Sequence, residues 1–126
     1  MANERSSVIL CIEDQPAALE LRKALLERAG YTVIPATDGT EGLGVFRAKP
    51  IDLVVVDYFL PGLTGTQVAA QMKRLKPDVP IVLVSGITES PEGLENVDLF
   101  VTKLELPALF LAEVAALLAT ARNQVA

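Results

Sequence analysis

The sequence predicts a doubly wound α/β domain, a five-stranded parallel sheet with helices on both faces. Three observations carry this. Short apolar runs alternate with stretches of helical period along the chain, the pattern of parallel strands joined by crossover helices. One run, Ile51–Val56, is almost continuously apolar, as a central strand covered on both faces should be. Chemically capable residues gather where strands finish, the edge at which open sheets of this kind hold their ligands.

The elements follow in order. Val8–Ile12 reads as the first strand and Pro16–Ala29 as a helix burying Leu19, Leu21, Leu25 and Leu26, with Gly30 as its stop. "YTVIPA" (31–36) is a second strand, and Pro35, which cannot donate to a ladder, puts it at a sheet edge. Asp38-Gly39 opens a helix over 39–48 that Gly42 and Gly44 loosen. Ile51–Val56 is the central strand, and Thr64–Lys76 is a helix closed by Pro77. "PIVLVS" (80–85) and "DLFVT" (98–102) supply the last two strands, and Pro107–Ala121 the final helix, with proline in its first turn.

At 126 residues the chain fits one domain, 1–126, with a core of about 8–121. Hydrophobic residues make up 51% and charged residues 21%, a globular balance, and the net charge of −5 disfavours a nucleic-acid surface. Arg22, Lys23, Arg28, Lys73, Arg74 and Lys76 lie on helix faces and read as solubility charges. The single cysteine, Cys11, sits in a strand as a small core hydrophobe, without disulfide or zinc spacing. With no histidine, the chain has no Ser-His or Cys-His catalysis and no phosphohistidine of its own. "MANERSS" has no signal-peptide core, and the apolar tract Leu106–Ala121 is too short to span a bilayer, so no membrane role and a cytoplasmic setting are expected.

The strand ends form a short list. Strand one runs into Glu13-Asp14, strand three into Asp57, strand four into Ser85-Gly86 and strand five into Thr102-Lys103. Each has a plain reading. Asp14 can cap the first helix, Glu13 can be a solvated strand end, and Asp57 can start a turn before Leu60-Pro61-Gly62. Ser85-Gly86 can be a simple turn and Lys103 a surface lysine. Together they say more. Two like charges 4 Å apart repel by about 4 kcal/mol at an effective dielectric near 20, so three crowded carboxylates call for a cation. A hard ion such as Mg²⁺ accepts one or two carboxylates and keeps places for water and phosphate oxygens. With a lysine and a hydroxyl nearby, the set suits phosphoryl transfer, and Asp57 can be the nucleophile that forms an aspartyl-phosphate.

From Val8 to about Ala121 the chain resembles the receiver (CheY-like) domains of two-component response regulators. The resemblance rests on Glu13-Asp14, on Asp57 with Leu60-Pro61 and Gly65, on Ser85-Gly86, and on Phe100-x-x-Lys103. It implies a flavodoxin-like (βα)5 fold with strand order 2-1-3-4-5. It makes Asp57 the phosphoacceptor and Lys103 the phosphate-contacting lysine. Glu13, Asp14, Asp57 and the Phe59 backbone carbonyl become the holders of Mg²⁺ or a similar ion such as Mn²⁺. Ser85 becomes a switch hydroxyl and Phe100 its coupled aromatic. The implied partners are a histidine kinase or phosphotransfer protein upstream and a protein partner downstream, and the chain catalyses only its own phosphorylation and dephosphorylation.

Three departures from that pattern carry expectations. Leu104 follows Lys103 where the family usually has proline, so a trans bond and an altered loop are expected there. "GITESPEGLENVDLF" is short for a loop-helix-loop and holds Pro91 and Gly93, so the fourth helix should be a single turn or missing. In the last helix Phe110, Val114, Leu117 and Leu118 make a core stripe, while Leu109, Ala115 and Ala119 leave the other side weakly polar, either as plain surface or as a partner or homodimer face. Phe59 and Ile87 flank the predicted phosphorylation site, and their bulk predicts slow loss of phosphate. Two other readings stay open. One is a pseudo-receiver that works only by docking. The other is an aspartyl-phosphate phosphatase, for which Phe59 stands where a second Asp is usual.

Overall fold

The structure is a computed structural model, and it describes residues 6–86 and 90–125. Its strands are β1 (Val8–Ile12), β2 (Thr32–Ala36), β3 (Leu53–Asp57), β4 (Ile81–Ser85) and β5 (Leu99–Thr102). Its helices are α1 (Pro16–Arg28), α2 (Gly39–Ala48), α3 (Gly65–Leu75) and α4 (Pro107–Val125). All ladders are parallel, in the order β2-β1-β3-β4-β5. Among the described residues between β4 and β5 there is a single 3₁₀ turn, Leu94–Asn96, in keeping with the single turn or missing helix expected there. Pro35 lies on the edge strand, where its missing N–H costs no ladder bond.

The two-residue period of the strands sorts the core into two halves. Leu10, Ile12, Val54, Val56, Ile81 and Leu83 face α2 and α3, meeting Leu43, Phe46, Val68 and Met72. Ile9, Cys11, Leu53, Val55, Val82 and Val84 face α1 and α4, meeting Leu19, Leu26, Phe110, Val114 and Leu118. Every residue of β3 and β4 is buried, as their continuous apolar character requires. Leu117 packs against the second half, completing the predicted stripe of α4, which runs four residues beyond the predicted end.

Local chemistry fixes the helix ends. Gly30, at φ 102°, closes α1 in a Schellman turn, with Gly30 N bonded to Glu27 O and Tyr31 N to Leu26 O. Asp38 caps α2 by accepting from Glu41 N at 2.8 Å. Thr64 and Gln67 form a capping box at the start of α3. Gly42 does more than loosen α2, because a Cβ there would overlap Ile12 Cδ1, so its absence lets the helix lie on β1.

Several sequence expectations change. Leu21 is 74% exposed rather than buried, and the inward face of α1 is Leu19, Arg22 and Leu26 at helical spacing. Asp14 does not cap α1, because Gln15 holds the N-cap position and its side chain makes no cap bond. Four of the supposed solubility charges are engaged, Lys23 with Glu27 one turn along α1 at 3.1 Å and three with other elements. Arg22 pairs with Glu13, Lys73 pairs with Asp98 at 2.7 Å, and Lys76 donates to the Phe46 carbonyl at the end of α2 at 2.6 Å.

Candidate functional site

The site forms along the carboxyl edge of the sheet. Glu13 continues β1, its N–H donating to Ala36 O at 3.0 Å, and its side chain is fully buried. Asp14 follows, half-buried. Asp57 is the last residue of β3 and is 2% exposed. Beyond it, Gly65 N donates to Tyr58 O at 2.8 Å and closes the loop into α3. A Cβ on Gly65 would strike the Asp57 carbonyl oxygen, so only glycine lets α3 approach the strand end this closely.

Carboxylate oxygens of Glu13, Asp14 and Asp57 lie within 4.8 Å of one another. This all-oxygen set, drawn from two adjacent strands, fits a hard divalent cation. Asp57 Oδ1 is buried, with only the Lys103 ammonium 3.3 Å away to answer it, so it keeps acceptor capacity for a ligand. Burial, reinforced by the Glu13 charge and opposed by Lys103, raises the Asp57 carboxyl from 3.8 to about 6. Crowding and desolvation have the cost predicted from the strand ends.

Lys103 answers part of that charge. Its N–H donates to Ser85 O at 2.9 Å, tying the end of β5 to the end of β4. Its ammonium lies 3.3 Å from Asp57 Oδ1 and 3.8 Å from Glu13 Oε1. There are no cis peptide bonds among the described residues, so Lys103-Leu104 is trans as expected, and the lysine reaches the carboxylates without the proline. Ser85 is fully buried beside Asp57's strand, with Thr102 as its ladder partner on β5. Phe100, paired with Leu83, is 39% exposed, and Phe59 stands out at 71%. Ile87 lies outside the described residues.

Sequence reasoning missed two groups here. Arg22, on the inner face of α1, has Nη1 3.4 Å from Glu13 Oε1. Its spacing from Leu19 and Leu26 was the available signal. Glu105, after β5, hydrogen-bonds the Glu113 carboxyl of α4, which with burial and the Glu113 charge raises it from 4.5 to about 7. Glu105 Oε2 and Glu113 Oε1 are buried without donors, a need that one shared proton meets.

Comparison with known proteins agrees with this geometry. The family described as the response regulator receiver domain matches residues 9–109. The alkaline phosphatase synthesis transcriptional regulatory protein PhoP of Bacillus subtilis is 36% identical over 114 residues, covering 87% of this chain and 48% of that protein. A CheY-like receiver domain from Methanospirillum hungatei superposes with a TM-score of 0.86 at 26% identity, over 94% of this chain and 98% of that one. The response regulator TrrA of Thermotoga maritima, solved in complex with Mg²⁺-BeF, gives 0.83 at 30% identity, over 88% and 98%. The chain belongs to the response regulator receiver domain family. It spans less than half the length of the curated relatives it matches, 40%, 22% and 48% for three of them. Among the described residues no helix is long and apolar enough to cross a membrane. The docking-only reading is not favoured, since the whole acidic cluster is in place.

Proposed function

We propose that this receiver, acting as one unit over residues 8–121, takes a phosphoryl group onto Asp57 from the phosphohistidine of a histidine kinase or phosphotransfer protein. The observation that carries the reading is the convergence of Glu13, Asp14 and Asp57 at one strand edge, with the Lys103 ammonium 3.3 Å from Asp57. A carboxylate oxygen of Asp57 forms the new P–O bond as the P–N bond breaks and the donor's imidazole leaves. Lys103 draws the phosphoryl oxygens and neutralises charge as it shifts onto Asp57. Glu13, Asp14, Asp57 and the Phe59 carbonyl are the holders of Mg²⁺, or of Mn²⁺ in its place, which supplies charge neutralisation at the transferring group. The Mg²⁺-BeF complex of the relative TrrA supports that assignment.

Ser85 then acts as the switch hydroxyl, with Phe100 the aromatic that follows it, biasing a protein-binding surface in a cytoplasmic setting. Output passes to a protein partner, or to a second copy through the exposed side of α4, where Leu109 is 52% exposed, and not to nucleic acid. The chain's own chemistry is confined to gaining and losing this phosphate. The test is incubation with a small phosphodonor and Mg²⁺, read by intact mass. One phosphoryl group should add to the wild type and none to Asp57→Ala. Labelling of the variant, or no labelling of the wild type, would overturn the assignment.

A further inference from the structure

Glu13 is the member of the acidic cluster that the protein already holds by every oxygen. Oε2 accepts from Gln15 N at 3.1 Å, and Oε1 has Arg22 at 3.4 Å and Lys103 at 3.8 Å. Arg22 is itself only 13% exposed at its side chain, enclosed between α1 and the sheet and touching the Cys11 thiol. A guanidinium placed there faces the same carboxylate that a divalent ion would draw on. With Lys103 it sets two positive charges against the three carboxylates, so the cluster is nearly balanced before any ion arrives.

We infer that Arg22 is a resident counter-cation that competes with the divalent ion for Glu13 and so sets the metal affinity of the site. The inference rests on the metal reading given above. In the metal-free protein Arg22 offsets the buried charge of Glu13. When the ion enters, Arg22 has to loosen its hold, and part of the binding free energy is spent on that exchange. The structure leaves room for the movement. A cavity of about 290 Å³ adjoins Arg22, walled by Leu21, Leu25, Lys103 and Glu105, and gives the displaced guanidinium space away from Glu13. Arg22 is thus a positioning residue acting through Glu13, and its removal should tighten metal binding. A merely structural lesion does not do that.

The experiment is a Mn²⁺ titration followed by electron paramagnetic resonance, with Mg²⁺ in competition, on the full chain as wild type, Arg22→Met, Arg22→Gln and Arg22→Lys. Arg22→Met and Arg22→Gln should bind Mg²⁺ about tenfold tighter, about 1.4 kcal/mol, while Arg22→Lys stays near the wild type. Thermal unfolding gives a second reading. Arg22→Met should melt lower than the wild type in EDTA yet gain more from saturating Mg²⁺, and Arg22→Gln serves if Arg22→Met does not fold without metal. Affinities of the Met and Gln variants equal to or weaker than the wild type's would overturn the inference. If the wild type binds Mg²⁺ and Asp14→Asn abolishes it, that failure leaves the metal reading intact. If neither the wild type nor the Arg22 variants bind, both fall.

Discussion

Two glycine-to-alanine substitutions should move stability in opposite directions. Gly65 opens α3 against the end of β3, and a Cβ there overlaps the Asp57 carbonyl oxygen and comes within 2.8 Å of Leu83 Cδ1. Leu83 can rotate away, but the carbonyl cannot, because β3 is paired on both sides and Gly65 N is bonded to Tyr58 O at 2.8 Å. The first turn of α3 must back off instead. Overpacking of this kind costs about 1–3 kcal/mol, and alanine's advantage in a helix interior does not offset it at Gly65, the first helical residue after the Thr64 cap. Gly65→Ala should therefore lose about 1–3 kcal/mol. Gly44 lies mid-helix in α2 with nothing within 4 Å of its added Cβ, so Gly44→Ala should gain about 0.5–1 kcal/mol from propensity alone. Urea unfolding of both variants beside the wild type, in EDTA with a common slope, measures the two signs. Because the same contact sets the position of Asp57, Gly65→Ala should also slow phosphorylation by a small donor, and Gly44→Ala should not. A Gly65→Ala protein as stable as the wild type would refute the reasoning.

Two further outcomes follow from the site and its surroundings. Glu105 is raised from 4.5 to about 7, so between those values the folded chain holds a proton that the unfolded chain has released. Its contribution is complete below pH 4.5 and is lost as pH rises through 7, and Glu113→Gln should flatten that slope in urea melts of the metal-free protein. Phe59, exposed two residues past Asp57, should shield the acyl phosphate from water, so phosphate should be lost slowly and Phe59→Ala should lose it several-fold faster. A wild-type lifetime of seconds, or equal lifetimes for the two proteins, removes Phe59 from that role.

The strand ends were legible because period and position agree. A parallel sheet presents its carboxyl edge whatever the loops do, so Glu13, Asp57, Ser85 and Lys103 converge from pattern alone. The short turn before β5 was legible from Pro91 and Gly93, which leave no room for a helix. The rotation of α1 was not. Its apolar residues at 18, 19, 21, 25 and 26 fit two adjoining faces, and only packing against β1 decides that Arg22 turns inward and Leu21 outward. The buried carboxylate of Glu13 makes the inward arginine favourable, a tertiary reason invisible to local periodicity. The Glu105–Glu113 pair escaped for a similar cause. Eight positions apart, the two meet only because the loop after β5 folds back onto α4.

Cys11 has a practical consequence of its own. It is the chain's one thiol, fully buried at mid-β1 between Pro35 on one neighbour and Val55 on the other, and burial raises it to about 11. A thiol reagent in neutral buffer therefore meets almost no reactive thiolate until the sheet itself comes apart. The rate of modification clocks that opening. Run with and without Mg²⁺, or before and after phosphorylation, it reports on the centre of the fold without any added probe.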